Sequence, residues 1–209
     1  MPRGAIRAVK DWDTLNKVAA RGYLDAIECL AIVDLLERTN APAVIASAND
    51  DGFARSMKLC HNALWFKLQH FVVRAYLAPS REDDRHLRAA MVFLNEPGCV
   101  AAISDRHSLD RFKSALKRFD LALADPRLER LTHMRHKQLA HLAEYNSASP
   151  PTYVDLFEFA SLTAVIWEDL AHGSGVATVS LEAQLLAYRE SAEVFCRQIS
   201  PATVPAGKS

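Results

Sequence analysis

The segment Met134-Arg135-His136-Lys137-Gln138-Leu139-Ala140-His141 sets one guanidinium and two imidazoles within about two helical turns. A guanidinium keeps its charge at any physiological pH and offers paired N–H donors to phosphate. An imidazole titrates near neutrality and can take or give a proton. Together these groups supply what metal-free cleavage of an RNA phosphodiester needs: a base for the 2′-hydroxyl, an acid for the leaving 5′-oxygen, and fixed positive charge for the crowded transition state. Arg130 and Lys137 flank the cluster as candidate contacts to an RNA backbone, although Glu129 and Glu144 interleave with them and a solvated face accounts for the same run.

Helical geometry makes the arginine conspicuous. Leu128, Leu131, Met134, Gln138, Leu139 and Leu142 fall in one sector of the wheel, and Arg135 points into it. His141 lies at the edge of that sector, roughly 120° from Arg135, while His133, His136 and Lys137 sit on the solvated side. An arginine on a packing face needs a carboxylate, a carbonyl, a phosphate or a second subunit. An acidic neighbour at a helix seam would satisfy it structurally. Two copies of the helix across a twofold axis would instead bring one chain's arginine toward the other's histidine, so a homodimer through the Arg135–His141 helix is expected. His133, His136 and His141 fan over a wide arc without the i, i+4 pairing of helical zinc sites, and neither a metal nor another cofactor is expected.

The same arginine-to-histidine spacing recurs at Arg55–His61, Arg81–His86, Arg127–His133 and Arg130–His136. Arg135–His141 differs in having a histidine directly after the arginine, an arginine on the apolar face, and a strong helix start upstream. That start is Asp125-Pro126, a capping residue followed by proline where its missing N–H costs nothing. The helix is expected to run to about Tyr145.

The elements that must position this helix also read as helical. Few glycines, and prolines grouped between long unbroken stretches, predict helices joined by short loops. Periodic apolar residues predict helices over Asp13–Arg38 (Leu24, Ile27, Ala31, Leu35), Gly52–Leu77 (Leu64, Leu68, Phe71, Ala75), Glu82–Leu94 and from Asp105 or Ser108 to Leu123. Asp50 or Asp51 is a candidate cap for the second of these, whose aromatics, Trp65, Phe66, Phe71 and Tyr76, predict deep burial. Thr152-x-x-Asp155 predicts a capping box opening a helix to Gly173, and Ser180 opens a last helix with the stripe Leu181, Leu185, Tyr188, Ala192 and Phe195. The expectation is an all-α bundle with long antiparallel core helices, a single domain over residues 1–200, and a disordered tail over 201–209.

Composition narrows the partners. Half of the 209 residues are hydrophobic, enough for a substantial core. Acidic and basic residues number 25 each, so the chain has no overall field to attract a polyanion, and RNA contact requires a local patch. Cys29, Cys60, Cys99 and Cys196 form no C-x-x-C pair, which with the absence of a leader pattern suggests reduced thiols and a cytoplasmic location. No membrane span, nucleophile elbow or glycine-rich phosphate loop is evident.

Arg135-His136-Lys137-Gln138-Leu139-Ala140-His141 resembles the R-x(4–6)-H signature of the HEPN superfamily, and the helix layout around it resembles the abortive-infection U-type branch. The resemblance implies a dimeric helical bundle that cleaves RNA without a metal, as a toxin in anti-phage defence. It implies that Arg135 holds the scissile phosphate, that His141 is the acid/base residue, and that His136 takes the polar supporting place. Members that pair with a nucleotidyltransferase antitoxin carry a tyrosine two positions after the histidine; Ala143 stands there and the tyrosine is Tyr145. No antitoxin is therefore assigned. The alternative class is a non-catalytic helical dimer that binds a nucleotide, RNA or a protein partner.

Overall fold

The Asp11 carboxylate accepts the Thr14 amide at 2.7 Å and opens α1 (Trp12–Thr39). In the computed structural model, which describes residues 8–81, 83–99, 108–135 and 151–200, seven more helices follow: α2 (Pro42–Asp50), α3 (Ala54–Tyr76), α4 (Leu87–Leu94), α5 (Leu109–Leu123), α6 (Pro126–Arg135), α7 (Tyr153–Gly173) and α8 (Leu181–Ile199). No strand occurs among the described residues, so the chain is all-α as its periodicity predicts. No helix among them is long and apolar enough to cross a membrane.

Several starts follow the expected chemistry. Thr152 and Asp155 exchange hydrogen bonds in a capping box, with the Thr152 hydroxyl oxygen accepting the Asp155 amide at 3.1 Å. The Ser180 oxygen accepts the Ala183 amide, and the Asp125 carboxylate accepts the Arg127 amide at 2.9 Å. Other starts depart from it. Pro42 opens α2, a helix missing from the sequence expectation although proline at the first position is its usual signal. Neither Asp50 nor Asp51 caps α3, which begins after Phe53 without a side-chain cap, and Asp51 accepts the Ser47 hydroxyl instead. α4 starts at Leu87 rather than Glu82 because the Asp84 carboxylate gathers the Ser80 and Arg81 amides into a turn.

α7 is the centre of the core. Leu156, Phe159, Ala160, Ala164, Ile166 and Leu170 are fully buried, and α7 packs against both α1 and α5. Removing Phe159's ring from such a site costs about 3–5 kcal/mol. Gly22 of α1 lets the helices close: a Cβ there would stand 2.2 Å from the Trp167 ring. α5 lies antiparallel to α7, with Phe112 near Gly173 and Tyr76 touching both Phe119 and Phe159. Asp169, buried on α7, accepts Arg111 at 2.8 Å and Ser114 at 2.6 Å and fastens the pair. Arg127 joins α6 to α7 by donating to Asp125 and Glu158 while its guanidinium lies 5.5 Å from the centre of the Phe159 ring.

α1 and α3 run antiparallel, since Glu28 pairs with Lys67 and Thr39 with His61. α8 runs parallel to α1, with Arg189 reaching Asp34 at 3.7 Å and the Tyr23 hydroxyl bonded to the Val179 carbonyl ahead of it. Not every periodic apolar residue is inside. Leu24 is 58% exposed, and Tyr188 and Phe195 of the α8 stripe are about half exposed, while Leu181, Leu185 and Ala192 are buried. The first half of α3 is also largely uncovered: Leu59 and Phe66 are exposed, and the first buried residue of the helix is Leu68.

Candidate functional site

Three residues of α1 at i, i+4, i+7 (Arg21, Asp25, Glu28) face three of α3 at i, i+3, i+7 (Lys67, His70, Arg74), spacings that place each set on one helical stripe. The turn before α4 adds Arg85 and His86, and Trp167 closes the floor. The result is a cleft of about 230 Å³ holding four cations, two carboxylates and two imidazoles.

The charges are unevenly satisfied. Arg21 pairs with Asp25 at 3.0 Å and Lys67 with Glu28. Neither Arg74 nor Arg85 has a carboxylate within ion-pair distance among the described residues, although the charge of Arg85 acts on Asp11 ahead of α1. His70 stands exposed at the rim; the desolvation it does experience, with Arg135 and then Arg74 adding positive charge nearby, holds its pKa below the usual histidine value. His86 is only 6% exposed, and burial lowers its pKa despite the opposing pull of Asp84. Its Nδ1 is buried with no hydrogen-bond partner, a deficit of about 1–3 kcal/mol for a group of this kind. Both imidazoles are therefore neutral at neutral pH, the form that accepts a proton. Cys29, at the back of the cleft, has its thiol pushed up to about 12 by burial and is no nucleophile at neutral pH.

α6 brings the motif arginine close enough for its charge to act on His70 of this cleft. Leu128, Leu131 and Met134 are buried as the wheel predicts, and α6 packs on α3. Arg135, half-buried at its end, has neither a hydrogen bond nor an ion pair with any described residue, and its charge acts on His70. Arg130 has a different setting: it lies 3.6 Å from Asp155 at the start of α7, and its Nε is buried without a hydrogen-bond partner. His136, Lys137 and His141 lie outside the described residues. Among the described residues no three His, Cys, Asp or Glu side chains gather as a metal site requires.

Sequence reasoning missed the cleft because attention to α3 went to its aromatics and leucines. The charged stripe Lys67, His70 and Arg74 carries the same helical period, and against Arg21, Asp25 and Glu28 on α1 it was the available signal. Which helices face each other is a long-range fact that neither stripe encodes. Comparisons with family models, curated proteins and solved structures find no match, so the functional reading of this cleft rests on its own residues and on the short motif whose arginine acts on His70.

Proposed function

We propose that this protein binds RNA through the cleft between α1 and α3 and cleaves it without a metal, as a HEPN-type endoribonuclease. The observation that carries this reading is Arg135, without an ion-pair partner among the described residues, whose charge acts on His70 in a cleft that also holds Arg74 and Arg85. In the reaction a neutral imidazole takes the proton of a 2′-hydroxyl, O2′ forms a bond to phosphorus, and the bond to O5′ breaks as that oxygen gains a proton. Arginine N–H groups hold the phosphoryl oxygens as charge builds on them. By resemblance Arg135 grips the phosphate, His141 exchanges the protons and His136 supports them, in a homodimer formed by the motif helices. Action as an abortive-infection toxin in the cytoplasm belongs to the same proposal.

The test is incubation of labelled single-stranded RNA with purified protein in excess EDTA. Fragments ending in 2′,3′-cyclic phosphate are expected, lost in Arg135→Ala and in His141→Ala while the helical fold is retained. Equal cleavage by wild type and both variants overturns the assignment. A second reading, binding without cleavage, is favoured by the pairing of Asp25 and Glu28 with Arg21 and Lys67, which leaves Arg74 and Arg85 as a grip for one phosphate. Retention of RNA or a nucleotide with no product selects it.

A further inference from the structure

The end of α1, the first half of α3 and the end of α8 enclose an apolar groove of about 540 Å³ whose lining carries no formal charge. A different opening, a trough of about 630 Å³ between α1, α7 and α8, is strongly charged. Its apolar lining is Leu30, Val33, Val154, Phe157, Val165 and Leu185, and among these stand Asp34, Glu37, Glu158 and Glu182 against one guanidinium, Arg189. Neighbours do not remove the acid excess. Asp34 and Glu182 share Arg189, and Asp34 also takes Arg38. Glu158 takes Arg127, which Asp125 shares, and Glu37 has no ion pair with any described residue. The lining positions on α7 run from 154 to 165, about 17 Å of helix, so the trough is elongated, as a site for a docked helix is.

The same chain exposes a helix face of matching length and opposite charge. α3 contains no Asp or Glu. On its first half Arg55, Leu59, Asn62 and Phe66 follow one stripe at i, i+4, i+7 and i+11, again about 17 Å, with Lys58 at its edge. Leu59 is 71% exposed and Phe66 is 40% exposed. Arg55 and Lys58 are exposed too, and neither has an ion pair with any described residue. The two surfaces cannot meet within one molecule. Glu28, Leu35 and Thr39 face α3, whereas Leu30, Val33 and Glu37 point to the other side of α1, roughly 170° round the helix.

We propose that the trough receives the first half of α3 from a second copy of this chain, with Leu59 and Phe66 on its apolar lining and Arg55 and Lys58 against its carboxylates. Because the two surfaces differ and lie on opposite sides of α1, the contact is head-to-tail: each copy gives α3 to one neighbour and takes it from another. This interface is separate from the motif helices and does not depend on RNA cleavage. One helix of about three turns makes an interface near the small end of specific ones, so micromolar, salt-sensitive association is expected.

Sedimentation velocity of the full chain over a concentration series tests this. The wild type is expected to grow with concentration into species larger than a dimer, and less so as salt is raised. Two double variants reverse one surface each: Arg55→Glu with Lys58→Glu on α3, and Glu37→Lys with Glu182→Lys in the trough. All four side chains are exposed, and circular dichroism checks the fold. Each double variant alone is expected to need at least a tenfold higher concentration for half-association. An equimolar mixture of the two is expected to return to the wild-type concentration, because the reversed charges complement one another and each chain keeps the native surface that the other has lost. Leu59→Ala, which removes an exposed side chain and leaves the charges alone, is expected to weaken association about tenfold. The proposal is overturned if the wild type grows no larger than the double variants, if either double variant or Leu59→Ala associates as the wild type does, or if the mixture associates no better than its components.

Discussion

At one end of the α1–α3 pair, Arg21, Lys67, Arg74 and Arg85 surround two imidazoles; at the other, Leu35, Met57, Leu64 and Phe195 surround one. The two openings share the same helices and nearly the same stripes. On α1 the positions 21, 25, 28, 35 and 39 follow one helical face, charged along its first half and apolar or hydroxylic along its second. On α3 the order is reversed because the helices are antiparallel, so like chemistry meets like at each end. The element that closes each opening also differs: Trp167 of α7 beneath the cationic cleft, Phe195 of α8 beside the groove. The histidines report the contrast most directly. His86 keeps a buried, unpartnered Nδ1 beside guanidinium groups, whereas His61 Nε2 lies 2.8 Å from the Thr39 hydroxyl. A lining rich in guanidinium and ammonium groups suits an anion, whereas one with no formal charge among the described residues does not.

The largest effect that would break this comparison is at the floor of the cleft. Gly22→Ala drives a methyl into the Trp167 ring, which has little room to move in the core, and is expected to cost about 3 kcal/mol in urea unfolding. Gly52→Ala, beside the groove, meets nothing within 4 Å and suffers only from its φ of +77°, so about 1 kcal/mol is expected. Equal costs would show that the cleft floor is not tightly packed.

The next effect is on binding. Arg74→Ala is expected to weaken RNA retention about tenfold and to lower the slope of log affinity against log salt by about one, the signature of one lost phosphate contact. Met57→Ala in the groove should leave both unchanged. Fluorescence anisotropy across a salt series measures this, and equal effects from the two variants would erase the distinction between the openings.

The smallest effect is on pH dependence and sharpens the comparison most finely. His61, His70 and His86 all have pKa values held below the ordinary 6.5 in the folded chain. Above that value neither the folded nor the unfolded state is protonated at these sites, and their contribution to stability is complete. As pH falls below it the unfolded chain binds protons first, so stability declines until the folded values are passed. Inorganic phosphate bound in the cleft would raise the pKa of His70 and His86 and reduce the loss, with no effect on His61. Histidine C–H resonances titrated by NMR with and without phosphate distinguish the rings; a shift of His61 alone would contradict the assignment of the anion to the cleft.

Much of the fold was legible because its signals are local. The capping box at Thr152 and Asp155, the Asp125-Pro126 start and the buried positions Leu128, Leu131 and Met134 follow from bonds and periods spanning a few residues. The misplaced features share a different origin. α4 begins late because the Asp84 carboxylate holds the Ser80 and Arg81 amides in a turn, and Phe66 of α3 is exposed whereas Trp65 beside it packs on Tyr153 of α7. Of the candidate site, the exceptional character of Arg135 was readable from its position on an apolar sector, but its neighbour His70, 65 positions earlier in the numbering, was not.

What the sequence alone determined is therefore the helical character of the chain and most of its punctuation. What only the tertiary structure decided is which stripes face each other: that Lys67, His70 and Arg74 meet Arg21, Asp25 and Glu28, and that Thr39 meets His61. The physical reason is that helix formation is written in interactions over three or four residues, whereas the pairing of helix faces is set by the burial of the whole core at once, with Gly22 and Trp167 choosing the approach that brings the charged stripes together.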